Sequence, residues 1–117
     1  MPAFLSRLFG NSSGPAWIEP SDLATSLKEA EAPLVVDVRR PDEFTGPLGH
    51  IDGAVNLPLD QFAAHIAELT GQKRPMVLVC HTDRRSSAAA AQLRAAGVES
   101  VAVLRGGMVA WRQEGIV

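Results

Sequence analysis

A chain of 117 residues, 46% hydrophobic and 21% charged, is long enough to close one hydrophobic core and has the balance of a globular domain rather than a disordered or fibrous one. Eleven Lys and Arg against thirteen Asp and Glu leave a net charge of −2, and the two Trp and four Phe are scattered rather than interleaved with basic residues, which argues against nucleic acid as a partner. No run approaches the roughly 20 apolar residues that cross a bilayer. The single cysteine cannot close an internal disulfide, so a reducing compartment, the cytoplasm, is the expected setting and no membrane partner is expected.

In chain order, the apolar stretch from Met1 to Phe9 is cut short by Ser6, Arg7 and the run Gly10-Asn11-Ser12-Ser13-Gly14. Residues 1–14 are therefore expected to form a loose tail ahead of one domain over 15–117. Ala16-Trp17-Ile18 can add an edge strand, and the segment opening at Pro20-Ser21-Asp22 repeats Leu23, Leu27 and Ala30 at helical spacing. Leu34-Val35-Val36-Asp37-Val38 and Met76-Val77-Leu78-Val79-Cys80 are short apolar runs rich in β-branched residues, each after a proline, and read as buried parallel strands. Weaker strands are expected at 54–56 and 101–104. A helix over 60–70 places Phe62, Ile66 and Leu69 on one face and stops at Gly71; another over 86–96 starts at Ser86, aligns Ala89, Leu93 and Ala96, and stops at Gly97. Gly106-Gly107 suits a tight turn into a short helix that tucks Trp111 inward. Alternating strands and helices imply an α/β fold, a mostly parallel sheet of about five strands flanked by helices on both faces.

Cys80 ends one of these strands, and only His81, Thr82, Asp83, Arg84 and Arg85 separate it from the helix expected at Ser86. Ligands of open α/β sheets bind beyond the carboxyl ends of the strands, where a helix N-terminus presents unsatisfied N–H groups and partial positive charge. Two arginines against one aspartate leave the loop at +1, a setting for a modestly activated, surface-accessible thiol. The plainer alternatives are a small buried hydrophobe at Cys80 and a solvated helix start at Arg84 and Arg85. Asp37 and Arg39 lie at the end of the neighbouring strand, where they either border the same crevice, with Asp37 orienting Arg85 or a loop amide, or form a structural ion pair. His50, between Gly49 and Ile51, is expected to hold a loop by hydrogen bonding, and with His50, His65 and His81 far apart no metal-ligand spacing is visible.

Several ordered motifs together resemble the rhodanese-like family from Trp17 to Ile116: Asp37-Val38-Arg39 followed by Pro41-Asp42-Glu43-Phe44, the run from Gly49 to Pro58, the loop from Cys80 to Ser86, and Gly106-Gly107 with Trp111. The resemblance implies a sulfurtransferase, free of cofactor, in which Cys80 takes sulfur from thiosulfate or a persulfide and passes it to a thiol or to cyanide. It implies that residues 81–86 form the substrate-binding loop, that Arg85 binds anionic donor oxygens, and that Asp37 and Arg39 support it. Four residues separate Cys80 from Arg85, a shorter loop than the related phosphatases and arsenate reductases carry, which disfavours that chemistry. Asp83 stands where sulfurtransferase loops commonly have glycine; it puts a carboxylate near the mouth and favours a neutral or protein-bound donor, or a binding module that has lost turnover.

Overall fold

The computed structural model describes residues 16–116, so the expected tail over 1–14 and the boundary drawn at residue 15 lie outside it. Its elements are β1 (Trp17–Ile18), α1 (Pro20–Ser26), β2 (Leu34–Asp37), α2 (Pro41–Phe44), β3 (Val55–Asn56), α3 (Leu59–Phe62), a 3-10 turn (Ala63–His65), α4 (Ile66–Thr70), β4 (Met76–Val79), α5 (Arg84–Ala95), β5 (Val101–Leu104) and α6 (Gly107–Gln113). The five strands lie in the order β1-β5-β4-β2-β3, and every pairing is parallel. The α/β class, the strand number and the two helical layers are those expected from the alternation of elements.

Strand side chains alternate between faces, and the core divides accordingly. Val35, Val77, Val79, Ala102 and Leu104 pack with Leu23, Met108 and Trp111, placing α1 and α6 on one face. Val36, Leu78, Cys80, Val101 and Val103 pack with Phe62, Ala89 and Leu93, placing α3 and α5 on the other. Val79 pairs with Asp37 across the ladder, and the Val38 amide donates to the Val79 carbonyl at 2.9 Å. The chain therefore leaves β2 and β4 side by side, and Cys80 emerges beside the Asp37-Val38-Arg39 segment.

Two local departures have physical reasons. The helix expected over 60–70 is three short turns, tightened to 3-10 pitch where Ala63 and Ala64 are exposed and no packing opposes the tightening. Helix α5 begins at Arg84 rather than Ser86, because the Asp83 carbonyl already accepts the Ser87 amide at 3.0 Å. Among the described residues no helix is long and apolar enough to cross a membrane.

Candidate active site

Cys80 is fully buried, which corrects the expectation of a surface-accessible thiol. As an even-numbered residue of its strand it points to the α5 side, and the three residues of the loop are too few to hold the first turn of α5 away from it. The sulfur is nevertheless not enclosed in hydrocarbon. The Ser86 amide donates to Cys80 Sγ at 3.3 Å, and Ser86 Oγ lies 3.2 Å from the same atom. Ser86, expected at the start of the helix, instead occupies its third position, where one residue supplies both an orphan backbone N–H of the helix start and a hydroxyl to the sulfur. Asp83 has φ −147°, so this position of the loop requires no left-handed backbone.

The opposite side of the loop is held by α6. The Met108 amide donates to the Cys80 carbonyl at 2.9 Å and the Val109 amide to the His81 carbonyl at 3.1 Å. Gly107, at φ +57°, makes this approach possible: a Cβ there would meet the carbonyl oxygens of Thr82, Cys80 and His81, the last at 2.7 Å. Gly107→Ala combines a left-handed strain with a backbone collision and is expected to cost about 2–4 kcal/mol. An unchanged urea midpoint in that variant would show that the loop and α6 can part without loss.

Arg85 lies at the second position of α5, and its guanidinium binds Glu43 through two bonds, Nη1 to Oε1 at 2.7 Å and Nη2 to Oε2 at 3.0 Å. Glu43 also accepts the Arg40 amide at 3.1 Å, capping α2. The anion that Arg85 faces is thus a carboxylate of the same chain. The Arg85 hydrogen bonds hold the Glu43 carboxyl far below its ordinary 4.5, at about 2, and Glu43 raises Arg85 in return. Because the folded-state value lies below the unfolded one, the pair stabilises the fold fully above about pH 4.5, and the contribution is lost as pH falls towards 2. With the Glu43 side chain 22% exposed, solvent screening reduces the contribution to about 1–2 kcal/mol. The stability difference between the wild type and Glu43→Gln should have that size at pH 6 and shrink towards zero near pH 2 in denaturant titrations. A difference that stays constant across that range would exclude the linkage.

Asp37 and Arg39 form the structural ion pair, and the alternative in which Asp37 orients Arg85 is not what the side chains do. Both are 1% exposed; Arg39 Nη2 donates to Asp37 Oδ2 at 2.7 Å and Nε to Oδ1 at 2.9 Å. Arg39 then reaches the carbonyls of Gly49 at 2.6 Å and Glu43 at 3.2 Å, fastening the 43–49 segment to the end of β2. Asn56 Nδ2 donates to the carbonyls of Asp37 and Arg39, so β3 braces the same corner. The His50 ring stacks on Phe44, and its Nδ1 lies 2.8 Å from the Phe44 carbonyl, which can only accept, so Nδ1 carries the proton and His50 holds a loop as expected. His81, Thr82 and Arg84 are exposed on the outer side of the loop, and Asp83 is half-buried.

The site thus unites Cys80 with Ser86, and Arg85 with a residue to which the sequence reading assigned no part, Glu43. Glu43 stands inside a motif that the sequence displays, but its partner lies 42 residues away and only the strand register brings them together. Beside Arg85 an open pocket of about 370 Å³ is lined by Val38, Pro58 and Leu59 together with Arg40 and Asp60.

Known proteins share this arrangement of chain. The rhodanese-like domain family matches residues 19–114. An uncharacterized protein of Synechocystis is 41% identical over 91 residues, 77% of this chain but 49% of its own length, so the chain spans about half of that relative. A thiosulfate sulfurtransferase of Shewanella oneidensis is 37% identical over 87 residues, covering 74% of this chain and 83% of the relative. The crystal structure of a rhodanese-related protein from Thermoplasma volcanium superposes with a TM-score of 0.75 at 27% identity, over 86% of this chain and 93% of that one. With its parallel sheet, its cysteine loop at the strand ends and this match over nearly every described residue, the chain belongs to the rhodanese-like domain family.

Proposed function

We propose that the protein is a sulfurtransferase in which Cys80 carries sulfane sulfur as a persulfide, from thiosulfate or a persulfide donor to a thiol or cyanide acceptor. The observation that carries this reading is the Ser86 amide, which donates to Cys80 Sγ from the first turn of a twelve-residue helix. A backbone N–H aimed at the sulfur from a helix start is placed to donate to it in both steps, to the attacking sulfur and to the persulfide it becomes. In the first step the thiolate attacks the outer sulfur of the donor, a new S–S bond forms, and the old one breaks with its electron pair leaving on sulfite or on the donor thiolate. In the second, the acceptor attacks that outer sulfur, and the bond to Cys80 breaks to return the thiolate. Electrons and sulfur balance without a cofactor. Sγ is covered at rest, so the loop and the first turn of α5 must part to admit the donor. A lone thiol of this kind works in a reducing compartment, and we place the protein in the cytoplasm.

Intact-mass measurement after incubation with thiosulfate or an organic persulfide should show one added sulfur on Cys80, removed again by a thiol or cyanide. Failure to find the adduct with every donor would sink the proposal. Burial of Sγ favours one competing reading, a binding module that keeps the fold without turnover. Full cellular function of a Cys80→Ser variant would establish that alternative.

A further inference from the structure

Around the cleft, carboxylates of the same chain outnumber the arginines, and two of the three arginines are each held by one. Arg85 is held by Glu43 through two hydrogen bonds, Arg40 is held by Asp42 at 3.1 Å, and Arg84 is followed back along the chain by Asp83. Asp60 adds a further carboxylate to the lining, and the remaining walls are the apolar side chains of Val38, Pro58 and Leu59. A dianion such as thiosulfate needs surplus positive charge to leave water, and this rim offers none. The persulfide group of an organic donor carries at most one negative charge, at the sulfur that reacts, and an apolar carbon portion can rest on these walls. Resting on the sulfurtransferase reading, we propose that Glu43 sets the class of sulfur donor: by holding Arg85 it selects organic persulfides against thiosulfate. Glu43 is here a specificity residue that acts through Arg85, with no contact to the reacting sulfur.

Specificity of this kind is a difference between two affinities, set as much by a withheld contact as by one made. Glu43→Gln keeps the side-chain length and the oxygen that accepts the Arg40 amide, and removes the charge that holds Arg85. Calorimetric titration of the intact protein with thiosulfate should show about tenfold tighter binding in Glu43→Gln, the scale of one charge-assisted fork gained. In turnover the gain appears in KM for thiosulfate with kcat little moved, and the ratio of thiosulfate to persulfide kcat/KM rises about tenfold. Glu43→Ala, which also loses the bond to Arg40, should move in the same direction. The double variant Glu43→Gln/Arg85→Ala should lose the gain, because the freed guanidinium is its source.

Unchanged thiosulfate affinity in both single variants overturns the proposal, as does a gain that survives removal of Arg85. The binding arm needs no turnover. If Cys80 takes up no sulfur from any donor the sulfurtransferase reading fails, while thiosulfate affinity still decides the role of Glu43.

Discussion

Cys80→Ser should lower sulfur transfer by at least about a thousandfold, because a serine hydroxyl is not ionised near neutral pH and forms no S–S bond. The effect should be chemical rather than structural. A serine fits the space of the thiol, and the Ser86 amide and hydroxyl, now 3.3 and 3.2 Å from the sulfur, can pair with the new oxygen. Its unfolding midpoint should therefore stay close to that of the wild type while both sulfur uptake and release disappear. Turnover above about a tenth of the wild-type rate would mean that donor and acceptor exchange sulfur directly, with the loop serving only to bring them together.

The largest loss of stability is expected from Arg39→Met. Asp37 would remain 1% exposed with its charge partner gone, and the carbonyls of Gly49 and Glu43 would lose their donor. Breaking a buried pair from one side costs about 3–5 kcal/mol, whereas removing both charges costs much less. Asp37→Leu combined with Arg39→Met should accordingly recover part of the loss. The midpoint of urea unfolding reads both variants, and a single variant within 1 kcal/mol of the wild type would show that Asp37 finds another partner. Because Arg39 also fastens the segment that presents Glu43, this variant should loosen the hold on Arg85 as well.

The sheet was legible because its strands announce themselves. Runs such as 34–38 and 76–80 are too apolar to face water on either side, and Gly106-Gly107 marks the turn that α6 needs. The position of Cys80 at a strand end was legible for the same reason. Its burial was not, since the depth of a side chain at a strand end depends on how far the next helix folds back over it, and α5 starts two residues earlier than the Ser86 signal suggests. The choice between roles for Asp37 was also beyond the sequence: Arg39 lies two residues away and Arg85 forty-eight, and only packing decides which guanidinium reaches the carboxylate. Glu43 shows the same limit from the other direction, a residue in plain sight whose partner becomes visible only through the register of β2 and β4.

The bonds from Met108 and Val109 to the carbonyls of Cys80 and His81 have a consequence for synthesis. Translation delivers the thiol well before the helix that shapes its surroundings, and domains settle as units once their chain has left the ribosome. Until α6 is free to dock, the sulfur-bearing segment lacks one of its two walls. The surroundings of Cys80 are thereby completed only once the segment Gly107–Gln113 has been made and can fold back onto the loop.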